Sequence, residues 1–106
     1  MTTISKESAI VTLINVFTVE PEKQKKLIDL LIQATEKTMR HLPGFISANI
    51  HRSIDGKQVV NYAQWRSRQD FEAMLKNPAA IPHMQEIASF TKFEPNLYEV
   101  VESIGV

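Results

Sequence analysis

The sequence has no cysteine, three glycines, one tryptophan, no net charge and no hydrophobic run of membrane-spanning length. Without cysteine there is no disulfide, no thiolate nucleophile and no thiolate-held zinc or iron–sulfur centre, so any metal chemistry would fall to histidine and carboxylates. A cysteine-free chain also suits a reducing compartment. Twelve Lys and Arg balance twelve Asp and Glu, which argues against the basic footprint that nucleic acid requires and against electrostatic attachment to a membrane. The longest uncharged stretch, residues 8–19, falls short of the ~20 residues that span a bilayer and is followed by no small-residue cleavage site. The expectation is a soluble cytoplasmic protein. Its 106 residues form one domain, 1–106 with a core of about 9–104, and a chain of this size buries about two-thirds of its unfolded surface.

What is present reads as alternating strands and helices. Residues 9–19 (AIVTLINVFTV) are rich in β-branched side chains and apolar on both faces, as in a central strand. Asn15 interrupts one of those faces. Pro21, with Glu20 and Glu22 beside it, opens a helix that runs to about His41, where Pro43 and Gly44 stop it. The helix is apolar over more than the ~100° of an ordinary surface helix, through Leu27, Ile28, Leu30, Leu31, Ile32, Ala34 and Met39. Residues 45–53 and 57–66 are the next two strands, joined through Asp55-Gly56. Ser67 caps a short helix whose apolar side is Phe71, Met74 and Leu75, and Asn77-Pro78 breaks it. A further helix begins at Ala79 or Pro82 and ends at Ser89, and a strand over 97–104 closes the chain. The order β-α-β-β-α-β predicts an α+β, ferredoxin-like fold, an antiparallel four-stranded sheet with helices on one face. An apolar open face is a liability in water, so pairing of two sheets in a homodimer is expected; a C-terminal segment folded across that face is the alternative.

No glycine-rich phosphate loop, G-x-S-x-G elbow, H-E-x-x-H helix or EF-hand occurs, and the three histidines are too separated to form a local metal motif. The candidates are polar and aromatic residues placed where a strand would otherwise be apolar. Asn61 and Trp65 share a strand face, about 13 Å apart at ~3.3 Å per residue, a span that suits a flat multi-ring ligand. Hairpin geometry decides their company. A three-residue loop over 54–56 brings Asn49 and His51 onto the face of Asn61 and Trp65, whereas a two-residue turn at Asp55-Gly56 places His51 opposite Val60 on the other face. A buried amide without partners costs roughly 1–3 kcal/mol, which makes Asn61 a candidate to hold a carbonyl or phenolate oxygen.

Pro43-Gly44-Phe45, His51, Asp55-Gly56 and the run Asn61-Tyr62-Ala63-Gln64-Trp65, followed by Ser67 and Phe71, resemble the antibiotic biosynthesis monooxygenase family of dimeric α/β-barrel proteins over residues 10–101. The resemblance implies sheets paired into a barrel and oxidation of an anthrone- or hydroquinone-type aromatic substrate by molecular oxygen, without metal, flavin or haem. It implies catalytic roles for Asn61 and Trp65 as hydrogen-bond donors and for His51 as proton acceptor. Asn49, Phe71, Met74, His83, Met84 and Asn15 complete the expected substrate-binding set. Phe71 stands where quinone-forming members have a tyrosine, and Met84 or Gln85 where they have an arginine. The family's haem-degrading branch is matched at Asn15 and His83, with Met74 in place of a tryptophan, so haem binding through His83 is one alternative. A non-enzymatic small-molecule-binding or stress-response protein is the other.

Overall fold

The computed structural model describes residues 1–106. Strand β1 (Val11–Thr18) is followed by a 3-10 turn (Pro21–Lys23) and helix α1 (Gln24–Lys37). A second 3-10 turn (Met39–His41) leads to β2 (Phe45–Arg52) and β3 (Gln58–Trp65). Helices α2 (Arg68–Leu75) and α3 (Ile81–Ala88) and strand β4 (Lys92–Tyr98) complete the chain. All pairings are antiparallel, in the order β2-β3-β1-β4. This is the expected ferredoxin-like arrangement, with β1 and β3 in the middle and the helices over one face.

Local chemistry explains the boundaries. Pro21 starts the first turn, and the Gln24 side-chain amide then donates to the Ser53 and Gln58 carbonyls, tying the start of α1 to the β2–β3 hairpin. Thr38 leaves helical geometry at φ −127°, so the long helix expected to reach His41 ends one turn earlier and continues as a 3-10 turn. Ser67 Oγ accepts from the Asp70 N–H at 3.1 Å, which caps α2. Asp70 also receives the Arg66 guanidinium through two hydrogen bonds. Gly44 has φ +82°, and a β-carbon there would collide with the Asp70 carboxylate, so glycine is required where β2 is entered.

The register settles which residues share a face. Ser53 N–H donates to the Gln58 carbonyl and Gly56 N–H to the Ser53 carbonyl, so the hairpin loop holds residues 54–57. Asp55 accepts from the Ser53 hydroxyl and the Lys57 N–H within this loop, and Gly56 takes the left-handed conformation at φ +82°. The loop is neither of the two expected, and four residues have the parity of two. His51 therefore lies opposite Val60, and Asn49 opposite Tyr62, on the face turned away from the helices. An irregularity between Phe45 and Ser47 switches parity once more and returns Phe45 to the Trp65 side.

The last strand corrects another expectation. It occupies Lys92–Tyr98, not 97–104, and pairs with Thr12–Thr18 of β1. Pro95 argues against a strand in the sequence, yet β4 is an edge, where a missing N–H is tolerated. Phe93 packs against Phe17 with ring centroids 5.9 Å apart, on the helix side. Residues 99–106 form no strand and are mostly exposed.

Two hydrophobic clusters fill the space between sheet and helices. One contains Leu13, Ala63, Trp65, Phe71, Met74 and Ala80. The other contains Phe17, Val19, Leu27, Leu31, Val59 and Ile87. The opposite face, expected to be apolar, is mixed. Ile14, Val16 and Val60 run along its middle, half-buried, while Thr12, Ser47, Asn49 and Gln64 occupy one end. There the N-terminal segment, and not the C-terminal one, crosses the sheet: Thr2 bonds Ser47 and Asn49, and the Thr3 carbonyl accepts from Gln64 at 2.7 Å.

Candidate active site

The β1–β3 register sets Asn15 directly opposite Asn61, with Leu13–Ala63 as the row on one side and Phe17–Val59 as the row on the other. The amides thus sit between the two hydrophobic clusters, where packing alone would favour aliphatic side chains. Both Oδ1 atoms are buried and accept no hydrogen bond from the protein. Four residues beyond Asn61, Trp65 is 2% exposed, and its indole is held edge-on by Phe45 (5.5 Å between ring centroids) and Phe71 (6.2 Å).

These residues border a cavity of ≈ 140 Å³. A single water occupies about 10–15 Å³ of such space, so it admits on the order of ten waters or a flat ligand of a few rings. Leu13, Asn15, Asn61, Ala63 and Trp65 form its floor on the sheet, and Leu31, Ala34, Thr35 and Met39 its roof. Phe71 and Met74 of α2, with His83, Met84 and Ile87 of α3, close the sides, and Phe93 and Pro95 of β4 lie at the sheet edge. Fifteen of the twenty lining residues are hydrophobic, so each polar atom that faces the space counts for more than it would in water. The Thr35 hydroxyl is already committed to the Leu31 carbonyl at 2.8 Å. His83 Nε2 lies 3.0 Å from Thr38 Oγ1.

The structure therefore brings together Asn15, Asn61, Trp65, Phe71, Met74, His83 and Met84, and leaves out two expected members. Asn49 Nδ2 donates to the Tyr62 carbonyl and to Thr2 on the other face, and the exposed His51 has Nδ1 3.2 Å from the Asn49 carbonyl. Neither side chain can reach the cavity through the sheet. Pro95 and Phe93 escaped the sequence reading because the strand that carries them was placed too late. Thr35 carried a signal: it lies on the side of α1 that continues Leu31 and Ala34, and Met39 follows in the 3-10 turn.

Titration behaviour separates scaffold from site. Asp70 is held below the usual carboxylate range by its bonds from Arg66 and Ser67, and Arg66 is raised in return by Asp70. Asp55 is lowered by the Ser53 hydroxyl and the Lys57 N–H. All three serve a cap or a turn at the surface, outside the cavity. Nowhere in the molecule do three His, Asp or Glu side chains converge as they would around a metal.

Residues 10–88 match the family model described as antibiotic biosynthesis monooxygenase. The chain belongs to the antibiotic biosynthesis monooxygenase family. It is 51% identical over 105 residues to the tetracenomycin-F1 monooxygenase of Streptomyces glaucescens, an alignment that covers 99% of this chain and 94% of that one. Among solved structures it is similar to the monooxygenase from the ActVA-Orf6 gene of Streptomyces coelicolor in complex with nanaomycin D (28% identity, TM-score 0.82, 91% of each chain). SnoaB, a cofactor-independent oxygenase from Streptomyces nogalater, shares the fold at 23% identity and TM-score 0.76, over 92% of this chain and 98% of that one. The expected oxidoreductase of the monooxygenase class stands on the family and on the 51% identical relative.

The orphaned amides make a prediction about this family member's stability. Asn61→Leu removes a buried polar group and fills the same space, so the free protein gains about 1 kcal/mol or more against urea unfolding. A loss of that size in the urea titration would mean that the amide is already satisfied.

Proposed function

We propose that the protein is a cofactor-independent monooxygenase that oxidises a polycyclic aromatic substrate of anthrone or hydroquinone type with dioxygen, and that it works in the cytoplasm as a homodimer. The observation that carries the substrate class is the Asn15–Asn61 pair, two buried amide oxygens without partners on the floor of an apolar cavity. A ligand that lies on this floor with a carbonyl flanked by two hydroxyls matches both amides: each Oδ1 accepts from one phenolic O–H, and each Nδ2 donates to the carbonyl or to the anion it becomes. Such donors are worth most where water is excluded and negative charge develops during reaction. Trp65, braced by Phe45 and Phe71, offers a rigid indole to the rings or to the oxygen being added.

The substrate supplies the reducing electrons. Deprotonation gives a delocalised carbanion or phenolate that reacts with dioxygen directly, and the balance CH₂ + O₂ → C=O + H₂O calls for no external reductant. The protein orients the rings, keeps the site dry and stabilises the anion. Relatives named for tetracenomycin F1 or solved with nanaomycin D support a polyketide-like substrate. Haem suits the site less well: Met74 stands at the cavity where the haem-degrading branch has a tryptophan.

Oxygen uptake with anthrone as substrate, by chelator-treated protein, tests the reading. Asn61→Ala lowers kcat/KM by about 10²–10³. Trp65→Phe, which keeps an aromatic ring and removes the N–H, lowers it by about tenfold. Binding of the aromatic compound with no oxygen uptake would instead make the protein a small-molecule carrier.

The homodimer reading rests on the half-buried Ile14, Val16 and Val60 on the helix-free sheet face. Light scattering should give a particle of twice the chain mass, and Val16→Glu should yield monomers; a monomeric native protein would contradict the pairing.

A further inference from the structure

We infer that His83 is the group that takes the proton from the substrate, held in position by Thr38. The inference rests on the oxidation proposed above and names the base that this chemistry needs. No carbon acid reacts with dioxygen at a useful rate until its proton has left, and the proton needs an acceptor within hydrogen-bond reach. Of all the side chains that line the cavity, His83 alone can titrate; the rest are aliphatic, aromatic, thioether, amide or hydroxyl groups. His51, the acceptor that the family resemblance implied, is exposed on the far face of the sheet. His41 is exposed in the turn after α1.

The fold delivers this imidazole by two elements. Pro82 and His83 lie in the first turn of α3, which places the half-buried ring at the cavity wall. Thr38, at the end of α1, brings its hydroxyl to 3.0 Å from Nε2. In the tautomer whose Nε2–H donates to Thr38 Oγ1, the lone pair is on Nδ1, and that atom is the acceptor. The adjacent Met84 carries no competing charge.

His83 takes a proton from the substrate CH₂ group, and the electron pair stays behind as the delocalised anion. That anion transfers electrons to dioxygen and forms the C–O bond, giving a peroxide anion that recovers the proton from the imidazolium. Loss of the second C–H proton to His83 then breaks the O–O bond and leaves the carbonyl. The departing hydroxide takes the proton as water, and the imidazole is regenerated.

The test uses the full chain with anthrone, first under nitrogen and then in air. Wild-type protein under nitrogen should generate the visible absorption of the anthrone anion, and His83→Gln, which keeps a polar side chain of similar reach, should not. In air His83→Gln should lower oxygen uptake by about 10²–10⁴-fold, while affinity for 9,10-anthraquinone, read by quenching of the single tryptophan, stays within about threefold. Added imidazole should restore uptake by His83→Ala. Thr38→Val should reduce the anion yield and Thr38→Ser restore it. Turnover by His83→Gln near the wild-type rate, beside an inactive Asn61→Ala, overturns the His83 role and leaves the oxidation intact. Loss of anthraquinone binding together with activity assigns His83 to binding and overturns the role as well. Wild-type protein that takes up no oxygen overturns the oxidation itself, and this base with it.

Discussion

The arrangement depends on one unfavourable feature, the cross-strand pair Asn15 and Asn61 in the middle of the buried sheet face. Two aliphatic residues there would join the Leu13–Trp65 cluster to the Phe17–Val59 cluster in one continuous core. Two amides keep the clusters apart and leave a cavity with polar atoms on its floor. Buried amide oxygens that no protein group reaches cost stability, and the rest of the fold offsets that: the close packing around Leu27, Val59 and Ala80, which are fully buried, the Gln24 tie to the hairpin and the Ser67–Asp70 cap. A ligand with matching oxygens removes the penalty on binding, so the same two groups that weaken the empty fold favour the occupied one.

Strand parity is the second constraint. A four-residue loop in the β2–β3 hairpin decides that Asn61 and Trp65 face the helices while His51 and Asn49 face away. A loop shorter or longer by one residue would bring His51 and Asn49 onto the face of Asn61 and Trp65. The loop is held by Ser53, Asp55 and Gly56, short polar residues remote from the cavity, so the site's composition is governed by groups that never touch it.

Much of this was legible in the sequence. The β-branched run around Leu13, the proline and glycine stops and the Ser67 cap marked the elements and their order, because each rests on local backbone preferences. Asn61 and Trp65 were legible because the period of a strand is fixed at two. The set of residues around the cavity was less so. Asp55-Gly56 announces a turn, but whether the loop holds two, three or four residues depends on side-chain bonds from Ser53 that spacing does not encode. Pro95 hid β4, since a proline is excluded from a central strand and allowed at an edge, and position in the sheet is a tertiary property. The helix-free face was expected to be apolar from one strand; its polar end comes from β2 and β3 and from a partner segment, Thr2 and Thr3, far away in sequence.

In the proposed site the Asn15 and Asn61 amides, and not the polar groups on the other face, receive the ligand's oxygens. The most direct measurement is a two-dimensional ¹H–¹⁵N spectrum of the side-chain amide and indole protons during titration with a non-oxidisable quinone. The Nδ2–H₂ pairs of Asn15 and Asn61 and the Trp65 Nε1–H should shift together with one dissociation constant, while Asn49 and Gln64 stay in place. Movement of Asn49 and Gln64 with Asn15 and Asn61 unmoved would contradict the account.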